Sequence, residues 1–120
     1  MRYIIAIILA AVLVSCNVTE EATLSVEVQD AWSVSNYYYL WVRMENIGTK
    51  TAYIDGYVRV YNSNSVQLYA SEDNYWPAAL EPGEINAASL SGYISETATS
   101  YKIVVNYGPE IVTTGDFEIY

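Results

Sequence analysis

Cys16 is the only cysteine of the 120-residue chain, and it ends the apolar run AAVLVSC. A nucleophilic cysteine needs a partner that lowers the pKa of its thiol, usually a histidine. The sequence contains no histidine, so it has neither a Ser-His-Asp triad nor an HExxH zinc site. We expect Cys16 to carry an attached group rather than to act as a nucleophile, and we expect a protein that is not an enzyme.

Paired carboxylates could still support glycoside hydrolysis, and their oxygens could bind calcium. The candidates are Glu72 with Asp73 and Glu81 with Glu84. Both pairs stand in turn-forming stretches, where acidic side chains are expected in any case. The D-x-[DN]-x-[DN]-G spacing of a calcium loop is absent. The sequence therefore predicts no catalytic residue, no metal site and no cofactor.

Aromatic side chains are better candidates for a binding role. The chain has 13 tyrosines and three tryptophans, and all but Tyr3 follow Cys16. Outward-facing rings offer flat, amphipathic contact area at low entropic cost, which suits a carbohydrate, a peptide or a partner domain. The simpler alternative is that these rings only cover a sheet, because tyrosine and tryptophan also favour strands. The rings expected on a recognition surface are Trp41, Tyr53, Tyr57, Tyr61 and Trp76.

The N-terminus has the layout of a secretory signal peptide. Arg2 supplies one positive charge, and residues 3–14 contain no charge, proline or glycine. A membrane-spanning helix needs about 20 apolar residues, so this run is too short to span a bilayer. We expect residues 1–15 to be cleaved and the mature chain to be extracytoplasmic.

The end of this segment, Leu13-Val14-Ser15-Cys16, resembles the lipobox of prokaryotic lipoproteins. The resemblance implies that the Cys16 sulfur receives a diacylglycerol, that cleavage precedes Cys16, and that the new amino group can be acylated, for example with palmitate. Two or more acyl chains hold a protein stably on a membrane. Residues 16–22 would then be the tether to the cell membrane or outer membrane. An ordinary signal peptide that happens to end near a cysteine is the alternative.

Charge limits the choice of partners. Cleavage would also remove Arg2, leaving four basic side chains against 14 acidic ones, a formal charge of −10. Nucleic acid is repelled by such a charge, so we expect a protein or glycan partner and no nucleic acid. Residues 16–120 suffice for one domain with one core, and no second cysteine is present for a disulfide.

From residue 23 onward, apolar and polar residues alternate with the period of strands. Leu40, Val42 and Met44 are expected to face inward, which leaves Trp41 outside. The third segment is expected to carry Tyr53, Tyr57 and Tyr61 on one outward face. Seven segments show the pattern: 23–29, 39–46, 52–61, 66–70, 85–94, 100–107 and 114–120. Their number and spacing predict an all-β fold, an antiparallel immunoglobulin-like β-sandwich over residues 23–120.

Two local features are expected to be structural. Pro82 and Gly83 occupy the second and third positions of the tetrapeptide EPGE, where a type II turn needs a preset φ and then a positive φ. Tyr101 stands near the start of the sixth segment, the place of a tyrosine corner.

Three stretches together resemble the pattern of FxLyD-type domains and related CARDB-like bacterial sandwiches. They are Asn46-x-Gly48 with Ala52, then residues 58–62, then residues 80–84. Val58 and Val60 replace the phenylalanine and leucine of that pattern, Tyr61 matches its tyrosine, and Asn62 replaces its aspartate. The resemblance spans roughly residues 23–107. It implies an immunoglobulin-like sandwich and no catalytic residue.

Two functional classes remain open. The first is a membrane-tethered binding module that uses exposed aromatic rings. The second is a structural or assembly subunit of a cell-envelope complex, which would use a sheet edge or the loop of residues 72–79 on one fixed partner.

Overall fold

A computed structural model describes residues 21–120, so Cys16 and the signal segment lie outside the described residues. The described part forms strands and contains no helix, and therefore no membrane-spanning helix. The strands are β1 (Leu24–Val34), β2 (Tyr37–Asn46), β3 (Ala52–Tyr53), β4 (Asp55–Tyr61), β5 (Gln67–Leu68), β6 (Ser71–Glu72), β7 (Ala79–Leu80), β8 (Ile85–Tyr93), β9 (Ser100–Asn106), β10 (Glu110–Asp116) and β11 (Glu118–Ile119).

The strands form a sandwich of two main sheets. One sheet has the order β11-β1-β2-β8-β6, the other has the order β10-β9-β4-β5, and β3 pairs with β7 in a small ribbon. All of these pairs are antiparallel except β1 with β11. The predicted all-β, mainly antiparallel sandwich is therefore confirmed. The seven predicted segments overlap nine of the eleven strands within residues 21–120, whereas the two-residue strands β6 and β7 lie in the stretch that was predicted as a loop.

The core is built from the inward rows of both main sheets. On β2, Leu40, Val42 and Met44 are completely buried. The opposite sheet contributes Val58 and Val60 from β4, and their cross-strand partners on β9 are buried as well. Alternation thus places apolar side chains on one face of each sheet, as half-buried strands require.

The third predicted segment divides at Ile54, which differs from the expectation of one continuous strand. Tyr53 belongs to the β3–β7 ribbon, while Tyr57 and Tyr61 lie on β4. Trp76 packs at this crossing, because a Cβ at Gly56 would lie only 2.8 Å from the Trp76 ring. The chain therefore changes sheets here, and the three tyrosines do not share one face.

The first strand is longer than the alternation predicts, because it contains a β-bulge. Its pairing with β2 shifts register between Val28 and Asp30, and it then continues to Val34. One extra residue reverses which parity of residue faces the core. Ser33 is consequently buried, and Trp32 faces outward. A two-residue connection with Ser35 at φ +47° leads into β2.

The final predicted segment also divides, at Phe117. Phe117 is buried and packs against Tyr101, with ring centroids 5.2 Å apart. Tyr101 is buried opposite Gly115, and its ring occupies the space that a Cβ at Gly115 would need. Burial raises the pKa of Tyr101, and the charge of Asp116 adds to this effect. Tyr101 thus covers a glycine on the neighbouring strand, and Phe117 carries the chain from one sheet to the other.

Asn46, at the end of β2, is a completely buried polar residue. Its Nδ2 donates to the carbonyl oxygens of Lys50 (2.8 Å) and Leu80 (2.9 Å), and its Oδ1 accepts from the Gly48 N–H (2.9 Å). Its main chain also bonds the turn: the Gly83 N–H donates to the Asn46 carbonyl oxygen at 2.8 Å. This one side chain therefore joins β2, the following loop and β7.

The turn that follows β7 has the geometry that EPGE allows. Gly83 has φ +84°, and the Glu84 N–H donates to the Glu81 carbonyl oxygen at 2.9 Å. Pro82 precedes this glycine and is exposed. The Asn46 N–H donates to the Glu84 carbonyl oxygen at 3.0 Å, so the turn is held against the end of β2.

Asn46→Ala should lower the free energy of unfolding by about 2 to 4 kcal/mol, because it leaves buried backbone groups without their partners. Asn106→Ala is the matched control. Asn106 is exposed, and its Oδ1 accepts from the N–H of Gly108, two residues later, at 3.2 Å. The Asn46 Oδ1 accepts in the same way from the N–H of Gly48. The control should change stability by less than about 1 kcal/mol in the same denaturant titration. Equal losses for both variants would contradict the role given to Asn46.

Val60→Ala should lower the free energy of unfolding by about 2 kcal/mol, through lost burial and a residual cavity. Val60 is 2% exposed, whereas Val112 on the edge strand β10 is 51% exposed. Val112→Ala is therefore the control, with an expected loss below about 1 kcal/mol. A larger loss for Val112 would show that the inward and outward rows are misassigned.

Candidate binding surface

The outer face of the five-stranded sheet carries a cluster of aromatic rings, which we call the aromatic face. Cross-strand pairing brings the rings together: Trp32 on β1 lies opposite Tyr39 on β2, and Tyr37 lies opposite Tyr93 on β8. Tyr120 follows β11, which pairs beside Trp32. Residues that are directly opposite in a sheet share one face. The aromatic face therefore combines rings from four neighbouring strands or their ends.

The rings are in contact with one another. The Trp32 and Tyr39 centroids are 5.5 Å apart with the planes 30° apart, and Trp32 lies 5.8 Å from Tyr37. Tyr37 lies 5.0 Å from Tyr93. Tyr120 stands edge-on to Trp32, at 6.4 Å and 78°. These distances are typical of mutually stabilising aromatic pairs.

Trp41 and Tyr75 extend this face toward the other end of the sheet. Both are paired with Ser89, one from each side, and both are exposed. Ser89, a small polar residue, therefore lies between the two rings. Trp41 was expected to face outward, and the structure places it there with 43% of its surface exposed.

The charges near the aromatic face are mainly acidic. Asp30, Val34, Trp32 and Tyr120 line a depression of about 430 Å³. Hydrogen bonding to Glu118 and the charge of that carboxylate raise the pKa of Tyr120, and Asp30 adds to the effect.

A basic side chain on the same sheet is already paired. Arg43 donates to Glu45 at 3.3 Å. On the other sheet, Arg59 lies opposite Lys102, and its guanidinium stacks 4.8 Å from the Tyr57 ring centroid. The two outer faces of the sandwich therefore differ in charge: acids stand around the Trp32 end of one, and bases lie at the centre of the other.

The structure disperses the other aromatic residues that the sequence singled out. Tyr53 is exposed on the small ribbon, beside a separate depression near Lys50. Tyr57 and Tyr61 lie on the outer face of the four-stranded sheet, where Tyr57 partly covers its buried cross-strand partner Val104. These three side chains are thus kept apart from Trp41, and they do not form one platform with it.

Trp76 requires a correction, because it is not an exposed ring. It is half-buried, packs against the core and lies over Gly56. Its loop position suggested exposure, but the absence of a side chain at Gly56 creates the space that its indole fills. We interpret Trp76 as a packing residue of the sandwich.

The sequence interpretation missed most of the aromatic face. The missed rings are Trp32, Tyr37, Tyr39, Tyr75, Tyr93 and Tyr120. The run of three tyrosines at 37–39 was a usable signal, because alternation across it places two rings on the same side as Trp41. Continued alternation along β1 would place Trp32 on the inner face, because alternation does not account for the bulge. Tyr120 joins the aromatic face only because β11 pairs with the distant strand β1.

Two polar groups are buried beneath the aromatic face. Ser33 and Tyr38 lie opposite each other on β1 and β2, and neither hydroxyl has a hydrogen-bond partner among the described residues. Burial raises the pKa of Tyr38, and the nearby Glu72 carboxylate raises it further. Tyr38 therefore stays protonated at neutral pH.

Residues 21–120 contain no group of three or more carboxylates placed to hold a metal ion.

No protein-family model matches the chain, and no curated protein matches it by sequence. The crystal structure of a FixG-related protein from Vibrio parahaemolyticus is similar to this chain in fold, with a TM-score of 0.53 at 16% sequence identity. The similarity covers 82% of this chain and 96% of that one. Likeness at this level of identity concerns the fold, and it agrees with the all-β architecture.

Proposed function

We propose that the protein is a non-catalytic, lipid-anchored binding module that acts outside the cytoplasm through its aromatic face. The observation that carries the proposal is the grouping of four rings on the outer face of the five-stranded sheet, where Trp32, Tyr37 and Tyr39 are half-buried and Tyr93 is 64% exposed. The outward row of a half-exposed antiparallel sheet is normally polar. Contiguous exposed apolar surface on a soluble domain marks an interaction site.

The position of β1 bears on how a lipid anchor would present this surface. The chain is bound to the domain from Glu21 onward, because the Thr49 N–H donates to the Glu21 carbonyl oxygen at 2.8 Å. An anchor at Cys16 would therefore sit within about 18 Å of that point, at roughly 3.5 Å per residue. From Leu24 to Trp32 the strand rises about 27 Å. The proposed anchor and the Trp32 end of the aromatic face would then lie at opposite ends of β1.

The assembly-subunit alternative is favoured by a different feature, the edge strand β10. It pairs with β9 in unbroken register over residues 110–116 and contains no proline or lysine. Such an edge can accept a strand from another chain. Substituting the rings of the aromatic face should leave binding at this edge unchanged, because edge pairing uses backbone groups.

Cys16→Ala should release the protein from the membrane fraction, because we propose that its sulfur carries the acyl chains. Fractionation followed by a high-salt wash measures this release. Cys16→Ala protein that stays wholly with membranes would overturn the lipid anchor. Ser15→Ala, which preserves the cysteine and places another small residue before it, is the control and should remain attached.

The double variant Trp41→Thr/Tyr93→Thr should lose binding to envelope components while remaining folded. Both residues are exposed strand residues, and threonine keeps strand propensity. We expect at least a tenfold loss in affinity, about 1.4 kcal/mol, for capture of solubilised envelope glycans or proteins. Tyr53→Thr/Tyr69→Thr is the control, since Tyr53 (72% exposed) and Tyr69 (83% exposed) lie outside the aromatic face. Undiminished capture by the first variant would favour the β10 edge and the assembly role.

A further inference from the structure

One end of the aromatic face forms a corner with two nearly perpendicular walls. The rings of Trp32 and Tyr120 meet at 78°, with centroids 6.4 Å apart. The depression beside them is also lined by Asp30 and Val34. A corner of this kind contacts a compact, rounded group on two sides, whereas a flat sugar ring stacks on one ring face.

Carboxylates surround this corner. Glu118 lies directly opposite Trp32 on the paired strand, and Asp30 contributes to the lining. Both carboxylates also raise the pKa of Tyr120, Glu118 through hydrogen bonding and its charge and Asp30 through its charge. The lining residues include no basic side chain. The basic side chains of residues 21–120 lie on other surfaces or are paired: Arg43, Lys50, Arg59 and Lys102.

We propose that this corner binds an organic cation of the quaternary ammonium class. Aromatic ring faces attract a cation through their quadrupole, and groups of rings recognise quaternary ammonium groups. Carboxylates at the rim add favourable charge over a range of about a Debye length. A quaternary ammonium group suits an open depression better than a lysine ammonium does, because a compact primary ammonium is strongly hydrated. The inference rests on the proposed function and names a ligand class for it.

Choline is the probe for this site, and its uncharged carbon isostere 3,3-dimethylbutanol is the control ligand. Binding is measured on the full chain in a polyoxyethylene detergent, by saturation-transfer NMR of the probe's methyl protons. That signal does not depend on any tryptophan of the protein. We expect saturable choline binding, with the isostere about tenfold weaker, since the two probes differ in charge and hardly in shape.

Two pairs of variants locate the site. Trp32→Leu should abolish choline binding, whereas Tyr53→Leu, which removes an exposed ring on the separate β3–β7 ribbon, should preserve it. Asp30→Asn should weaken binding about threefold or more, whereas Glu27→Gln, on the same strand before the bulge, should not change it. Asp30 is exposed. Its variant therefore keeps the proposal testable if Trp32→Leu does not fold.

The source of the cation is distinguished by vesicles. Retention of Cys16→Ala protein on phosphatidylcholine vesicles but not on phosphatidylglycerol vesicles supports a lipid headgroup, and binding of free choline alone supports a soluble ligand. Equal binding of choline and 3,3-dimethylbutanol, or no choline binding at all, would overturn the cation site. If choline fails while Trp41→Thr/Tyr93→Thr still abolishes envelope capture, the cation inference falls and the proposed function stands.

Discussion

The burial of one side of β2 is the constraint on which the rest of the structure depends. Leu40, Val42 and Met44 are completely buried, and β2 pairs along its length with β1 on one side and β8 on the other. A slip of one residue would turn all of these side chains to solvent. The register of three strands is therefore set together. The same constraint aims Tyr37, Tyr39 and Trp41 outward, because alternate residues of a strand point to opposite faces.

Asn46 defines where this constraint ends. Its amide is buried and bonded to backbone groups of Gly48, Lys50 and Leu80, which come from the loop after β2 and from β7. A buried amide stabilises only the arrangement that satisfies it, since an unpartnered polar group is costly. Asn46 thus selects one closure for this end of the sandwich. A wholly apolar residue at this position would allow several closures of similar energy.

The two outer faces of the sandwich suit different roles. Around Trp32, aromatic rings stand beside Asp30 and Glu118, whereas the other sheet presents Arg59 beside Lys102. The β-bulge between Val28 and Asp30 creates the first of these arrangements. Before the bulge the even-numbered residues of β1 face inward, and after it they face outward. The strand therefore continues while Trp32 points away from the core. Bulges commonly re-aim side chains next to functional sites, and this bulge is consistent with that use.

The amino-acid sequence by itself determined the class of the fold and its local turns. Two-residue alternation predicted an antiparallel β-sandwich and correctly assigned the inward row of β2. Alternation reports which residues share a face of one strand, and turn residues report local φ. Both signals arise from neighbouring residues, so they can be read along the chain.

Only the tertiary structure decided which rings stand together. Trp32 and Tyr120 are far apart in sequence and meet because β11 pairs beside β1, while the β3 to β4 crossing moves Tyr53 away from Tyr57. Trp76 is covered because distant Gly56 leaves room for its ring. Strand order, sheet crossings and bulges depend on how the whole core is filled. Residue types along one strand do not contain that information, because the free energy of burial is shared among segments distant in sequence.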